Sequence, residues 1–127
     1  MNRLGMIVAL SIGGALGVNA RHWMGVWVRG WAGTRFPWGT FLINVSGSFA
    51  IGFLAMTLER WVRTPELRLL VITGFLGGYT TFSAYSLETL LLWERGEPFR
   101  ALVYLAGSAL TGFAAVTLGV IVGRQWL

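Results

Sequence analysis

Apolar residues fill four long stretches of the chain, and charged residues collect in the short joins between them. The stretches cover about 4–28, 36–58, 69–93 and 101–123. Because a bilayer core of about 30 Å takes about 20 residues of helix, each stretch is long enough to cross a membrane. The joins are too short to fold by themselves. The pattern therefore predicts an all-α membrane protein with four transmembrane helices in a single domain over residues 1–127.

The third stretch contains a tract, GGYTT at 77–81, that is poorly suited to the interior of a helix. Glycine and β-branched threonine both have low helix propensity. At mid-membrane depth, an unwound turn is tolerated only where protein or a water-filled cavity covers it, and such breaks can expose backbone groups to ions. The tract predicts a third helix that is broken mid-membrane, with a site at the break. The alternative is an intact helix whose glycines make a packing contact.

Composition supports the membrane placement. The chain is 55% hydrophobic and 12% charged, whereas soluble domains carry about a quarter charged residues. An alternative for the first stretch is a cleaved signal peptide, but its apolar run continues to Trp27, past the about 7–15 residues typical of such a peptide. The seven tryptophans lie near the predicted helix ends, where amphipathic rings favour the headgroup layer: Trp23, Trp27, Trp31, Trp38, Trp61, Trp93 and Trp126.

All ten basic residues are arginines, and they are spread over every join rather than clustered on one face. This distribution argues against a nucleic-acid partner. A four-helix path places five arginines on each side of the membrane: Arg3, Arg60, Arg63, Arg68 and Arg124 on one side, and Arg21, Arg29, Arg35, Arg95 and Arg100 on the other. Orientation normally follows an excess of Lys and Arg on the cytoplasmic side, so the balance predicts insertion both ways round and an antiparallel homodimer. The alternative is that Arg68 or Arg21 is buried and the count is uneven.

Polar side chains form uncharged stripes along three of the predicted helices. Phe82 and Tyr85 share a helical face that continues to Glu88, with the hydroxyls of Thr80, Thr81, Ser83 and Ser86 around them. The second helix carries Asn44 and Ser48, and the fourth carries Tyr104, Ser108 and Thr111. Intramembrane polar groups usually face the helix-bundle interior or a pathway, the alternative being hydrogen bonds that join helices.

The lining of such a pathway suits an anion better than a cation. Glu88 is the only acidic residue that falls inside a predicted helix. Amide and hydroxyl donors and the positive edges of aromatic rings can replace water around a small anion. No enzyme is indicated, because His22 is the only histidine, Cys and Asp are absent, and zinc-type ligand spacing is missing. The residues by themselves therefore predict an anion-conducting or anion-transporting protein.

Three blocks of the sequence resemble the Fluc (CrcB-type) fluoride channels. They are GGALGVNAR at 13–21, PWGTFLINVSGSFAIGF at 37–53 and GFLGGYTTFSAYSLE at 74–88. The blocks fall on three different helices in the order and spacing of the family, and the third is the most specific. The fourth helix resembles the family only through Tyr104 and Ser108.

The resemblance implies a passive fluoride channel in the cell (inner) membrane, built as a homodimer of antiparallel subunits with two pores. Such a channel lets the membrane potential expel cytoplasmic fluoride, at about 2.3 kcal/mol per charge per 100 mV, and so relieves fluoride toxicity. It also implies a structural Na⁺ on the two-fold axis, which the backbone carbonyls of Gly77 and Thr80 would hold.

Site residues are also implied by the resemblance. Asn44 matches the pore asparagine, and Phe82 matches the first of two phenylalanines whose ring edges face fluoride. Tyr85 stands where the family has the second phenylalanine, so we expect the pore to survive with altered conductance. Arg21 matches a basic residue of the vestibule. The polar path would include Thr81, Ser83, Tyr104 and Ser108, extended by Ser48, Glu88 and Thr111.

Two other functions compete with a fluoride channel. A proton-coupled exporter of the small multidrug type also has four helices, but such exporters carry a carboxylate in the first helix and this chain has none there. A non-conducting subunit that only packs against partners would explain the glycines but not the polar stripes.

Overall fold

The computed structural model describes residues 2–127 and is helical throughout. Its helices are α1 (Arg3–Ala32), α2 (Trp38–Trp61), α3 (Pro65–Arg68), a π-helix (Leu69–Leu76), α4 (Gly77–Tyr79), α5 (Ser83–Glu94) and α6 (Pro98–Gln125). Helices α1, α2 and α6 are each long and apolar enough to cross a membrane. The prediction of an all-α membrane protein is therefore confirmed.

The ends of the helices follow local sequence. Asn2 caps α1, because its side-chain oxygen accepts a 2.7 Å hydrogen bond from the Gly5 N–H. Gly33 and Gly96 have positive φ angles of 79° and 77° just beyond α1 and α5, which glycine adopts without a steric cost. Pro98 begins α6, where its missing N–H costs nothing. The turns are thus set by the glycines and proline in the joins.

The region between α2 and α6 is helical in pieces. Helical backbone runs from 65 to 79 through α3, the π-helix and α4, and residues 80–82 lie outside any helix before α5 begins. The chain turns to extended geometry at Thr80, with φ −88° and ψ 158°. No single piece of this region is long enough to span a bilayer core.

The long helices pack through small residues. Helix α2 lies along α6, and α1 lies along the π-helix and α4. Gly52 faces the Val116 carbonyl and Gly119 faces the Phe49 carbonyl, so α2 and α6 approach backbone to backbone. Only a few side chains are buried, whereas most large apolar residues and all seven tryptophans are exposed. An apolar outer surface of this extent fits a lipid environment.

Gly13 gives a direct test of the α1 packing. A Cβ at Gly13 would stand 3.0 Å from the Leu70 carbonyl carbon and closer still to its oxygen, whereas a Cβ at Gly14 would meet nothing within 4 Å. We expect Gly13→Ala to lower the free energy of unfolding by about 1–3 kcal/mol through overpacking. Gly14→Ala is the matched control and should be neutral or slightly stabilising. Thermal unfolding in detergent measures both, and equal melting temperatures would contradict the packing.

Candidate functional site

An open groove of about 900 Å³ runs beside the interrupted region, between α2, the π-helix and α6. Most of its lining is apolar. Thr73 and Phe113, which the sequence did not single out, are part of the lining. The lining also includes eight residues that the sequence singled out on three separate helices: Asn44, Ser48, Gly77, Thr80, Thr81, Phe82, Tyr85 and Ser108. The fold therefore brings the stripe of α2, the GGYTT tract and one residue of α6 to a single surface.

Asn44 holds the backbone at the interruption. Its Nδ2 donates to the Thr81 carbonyl at 2.9 Å, and its Oδ1 accepts from the Thr81 N–H at 2.8 Å. The amide thus satisfies both backbone groups of a residue that lies outside any helix, where unpaired groups would be costly in a membrane. The Asn44 amide has two Nδ2–H groups, and the bond to the Thr81 carbonyl uses one of them.

The helix hydrogen bonds of two carbonyls are diverted at the same place. In a continuous helix the Thr81 N–H would donate to the Gly77 carbonyl, but here it donates to Asn44. The Ala84 N–H would likewise donate to the Thr80 carbonyl, but it donates to Thr81 Oγ1 at 3.3 Å. The Gly77 and Thr80 carbonyls therefore lose the partners that a helix would give them, and both residues line the groove.

Two aromatic rings follow the interruption. Phe82 is 78% exposed, whereas Tyr85 is buried and its hydroxyl donates to the Leu105 carbonyl of α6. The ring centroids of Phe82 and Tyr85 are 5.8 Å apart, and Tyr85 meets the Tyr104 ring edge-on at 5.3 Å. The hydroxyl that distinguishes Tyr85 from phenylalanine thus ties α5 to α6.

Glu88 lies in a separate polar cluster beyond these rings. Thr40 donates to Glu88 Oε1 at 2.7 Å, and Tyr104 donates to Oε2 at 2.8 Å. Tyr104 is only 1% exposed and does not line the groove. Its ring contacts the ring of Tyr85, which does line the groove. Thr40 was not among the predicted site residues. Its place one helical turn before Asn44, on the same face, is the signal that would have found it.

The remaining predicted residues divide into three groups. Ser108 lines the groove, and its Oγ is buried without a hydrogen-bond partner among residues 2–127. Arg21 lines another cavity of about 280 Å³ with Thr40 and Thr81. Ser83 and Thr111 are exposed and line none of these cavities. The structure thus brings most of the predicted residues together and leaves those two apart.

Apolar membrane-spanning helices beside a groove that carries a few polar and aromatic side chains define a multi-pass membrane protein. The family model described as "CrcB-like protein, Camphor Resistance (CrcB)" matches residues 8–120. The chain belongs to the CrcB family, and the resemblance found in the three sequence blocks is confirmed.

Curated relatives match over nearly the whole chain and carry the name "Fluoride-specific ion channel FluC". The one from Rhizobium meliloti (strain 1021) is 44% identical over 119 residues, which cover 93% of this chain and 95% of the relative. The one from Rhizobium etli (strain CIAT 652) is 47% identical over 116 residues, covering 91% and 93%. The one from Methylococcus capsulatus (strain ATCC 33009 / NCIMB 11132 / Bath) is 45% identical over 120 residues, covering 94% of this chain and 53% of the relative.

Proposed function

We propose that this protein is a passive fluoride-selective channel that lets fluoride leave the cytoplasm, and it is not an enzyme. The groove carries the proposal, because neutral donors and an exposed aromatic ring meet there beside the interrupted helix. The name that the relatives share supports fluoride as the ion.

Fluoride must exchange its water for protein donors in order to pass. Removing a small ion from water costs several kcal/mol even in real proteins, so the path must supply replacements. The second Nδ2–H of Asn44 and the unpartnered Ser108 hydroxyl are available donors. The positive edge of the Phe82 ring adds a weaker contact. Among residues 2–127, the groove lining contains no carboxylate, which fits an anion. Glu88 lies outside this lining and accepts hydrogen bonds from Thr40 and Tyr104.

A second, antiparallel copy would complete the pore. Irregular backbone at mid-membrane depth must be covered by protein or water, yet the groove is open and Phe82 is largely exposed in one chain. Arg21 and Arg68 are both half-buried rather than buried, which supports counting five arginines on each side. Region 65–94 would then be a fourth, discontinuous membrane segment in each copy, with the dimer in the cell inner membrane.

A structural Na⁺ fits the two diverted carbonyls. The Gly77 and Thr80 oxygens are hard ligands without their helix partners, and unwound transmembrane backbone coordinates Na⁺ in this way. Two carbonyls are few for one cation, so we propose that both copies contribute theirs at the two-fold axis. Residues 2–127 hold no group of three or more His, Cys, Asp or Glu that could bind a metal instead.

Fluoride efflux from liposomes tests the function. The purified protein is reconstituted in vesicles loaded with potassium fluoride, and a potassium ionophore then sets the voltage. We expect fast, voltage-driven fluoride loss without a proton gradient and little loss of chloride. Slow loss that depends on a pH gradient would indicate the proton-coupled exporter, which the absence of an acidic residue in α1 already disfavours. No loss at all would indicate a packing subunit.

Cysteine labelling tests insertion both ways round. The chain has no cysteine, so Thr34→Cys, between α1 and α2, introduces a single reporter. We expect a membrane-impermeant maleimide to label one part of the population from outside and the rest only after the membrane is opened. Thr64→Cys, in the next join, should behave the same way. Labelling of Thr34→Cys from one side alone would contradict the antiparallel dimer.

A further inference from the structure

Thr80, where the chain leaves the helix, packs directly against α2. A Cβ added to the buried Gly47 would collide with the Thr80 methyl group and would stand 3.3 Å from Cδ1 of the Tyr79 ring. The absence of a side chain at Gly47 therefore lets the interrupted backbone cross α2 at close range. Close packing on a glycine has no preferred direction, so the orientation of the crossing backbone must be fixed by neighbouring side chains.

Two side chains of α2 hold the chain on either side of this crossing. Asn44 bonds to the N–H and the carbonyl of Thr81, the residue after Thr80. Ser46 bonds to Tyr79, the residue before Thr80, because its Oγ lies 2.9 Å from the Tyr79 hydroxyl oxygen. The two contacts thus flank Thr80, one through its backbone neighbour and the other through a side chain.

The geometry of α2 explains why the two contacts can flank one residue. Successive residues of a helix are about 100° apart around its axis, so Gly47 lies between Asn44 and Ser46 on the surface of α2. The two polar side chains therefore reach past opposite sides of the glycine on which the chain crosses. In this way α2 fixes the direction of the interrupted backbone as well as its position.

The Tyr79 hydroxyl is the donor in its bond to Ser46. The Ser46 hydroxyl has a single hydrogen, which it donates to the Leu42 carbonyl of its own helix at 2.6 Å. The Tyr79 ring stacks on Phe75 with 5.9 Å between ring centroids, and a Cβ added to Gly17 of α1 would stand 3.0 Å from the Tyr79 backbone nitrogen. Tyr79 is thus held by α1 at its backbone and by α2 at its hydroxyl.

We propose that Tyr79 and Ser46 are a positioning pair, which orients the interrupted backbone and the Phe82 ring for fluoride conduction. The inference rests on the proposed channel function and gives a role to two residues that do not line the groove. Contacts of an ion with a carbonyl or a ring edge depend on direction. When the hydroxyl bond is removed, the side-chain hydrogen bonds of α2 hold the crossing from one side, through Asn44.

Fluoride efflux at low protein density tests the pair. When most vesicles hold a single channel or none, the fraction of vesicles that empty counts the folded channels, and the rate of emptying reports conduction by each channel. We expect Tyr79→Phe, which keeps the ring and removes the hydroxyl, to lower the rate per channel about fivefold. Ser46→Ala should cause the same loss. A bond that only stabilised the fold would lower the fraction and leave the rate unchanged, which would overturn the proposal.

A double-mutant cycle shows whether the two residues act together. If they share one bond, Tyr79→Phe combined with Ser46→Ala should be about fivefold slower than the wild type rather than about 25-fold slower. Ser46→Thr keeps the hydroxyl and should keep the wild-type rate.

Thr117 provides the matched control for Ser46. Its Oγ1 donates to the Phe113 carbonyl of its own helix at 2.8 Å, on an exposed face of α6. Thr117→Ala therefore removes the same kind of intrahelical bond that Ser46→Ala removes, and it should conduct like the wild type.

Three results would each show that the hydroxyl bond does not position the backbone. These are a wild-type rate per channel in Tyr79→Phe, losses that multiply in the double variant, and a slow Ser46→Thr variant. A wild type without fluoride efflux would instead defeat the channel function itself.

Discussion

Phe82→Ile is expected to slow fluoride efflux by about 100-fold or more, which corresponds to about 2.7 kcal/mol of added barrier. Isoleucine keeps an apolar side chain at this position but removes the ring and its positive edge. Fluoride would then lose its hydration water with fewer protein contacts to replace that water. The neighbouring backbone carries no charge that could compensate for the missing ring edge. The liposome assay measures the rate, and size-exclusion chromatography checks that the variant assembles like the wild type.

Phe99 offers a matched control for this substitution. It has the same 78% exposure as Phe82 but lies at the start of α6 and lines neither the groove nor the cavities around Arg21 and Glu88. Phe99→Ile should leave efflux unchanged. If Phe82→Ile conducted fluoride at the wild-type rate, that ring would have no part in the pore.

Asn44→Ala is expected both to abolish efflux and to destabilise the fold. The substitution leaves the Thr81 N–H and carbonyl without their partner, and we expect a loss of about 2–4 kcal/mol for the two groups together. It also releases the Thr81 N–H from its present geometry and removes a donor from the groove. Thermal unfolding in detergent measures the first effect, and the liposome assay measures the second.

Asn19 is the matched control for Asn44. Its Nδ2 donates to the Ala15 carbonyl within α1 at 2.8 Å, so Asn19→Ala breaks a bond inside one helix and leaves the backbone of the groove intact. We expect a change within about 0.5 kcal/mol and normal efflux. Equal stability of the two alanine variants would contradict the role of Asn44 at the interruption.

Residues 65–94 show where local sequence is informative and where it is not. Gly77, Gly78 and the two threonines that follow have low helix propensity, and this property is visible in the sequence. The π-helix at Leu69–Leu76 is not, because its residues are ordinary apolar ones. Its Leu70 and Phe75 carbonyls lie against the glycine face of α1. That contact comes from packing between helices and leaves no local signal.

The candidate site also has features that the local sequence indicates and features that it does not. Helical spacing placed Phe82, Tyr85 and Glu88 on one face, but it said nothing about which other helix each residue would meet. Tyr85 bonds to α6, and Glu88 bonds to both α2 and α6. Ser83 and Thr111 belong to the same stripes by type and spacing, yet both face outward. Helical periodicity shows which polar residues share a face of a helix. It does not show whether that face meets the groove or the outer surface, because both are largely apolar.

By itself, the sequence determined that this protein is helical, lies in a membrane and belongs to a family whose blocks it carries. Hydropathy over about 20 residues decides membrane placement. It is a sum over consecutive residues and does not depend on tertiary contacts. Only the tertiary structure decided that Asn44 bonds to Thr81, that Thr40 and Tyr104 hold Glu88, and that Tyr79 bonds to Ser46. These pairings join residues far apart in the chain, and hydrogen bonds and charges act only over the short distances that packing creates.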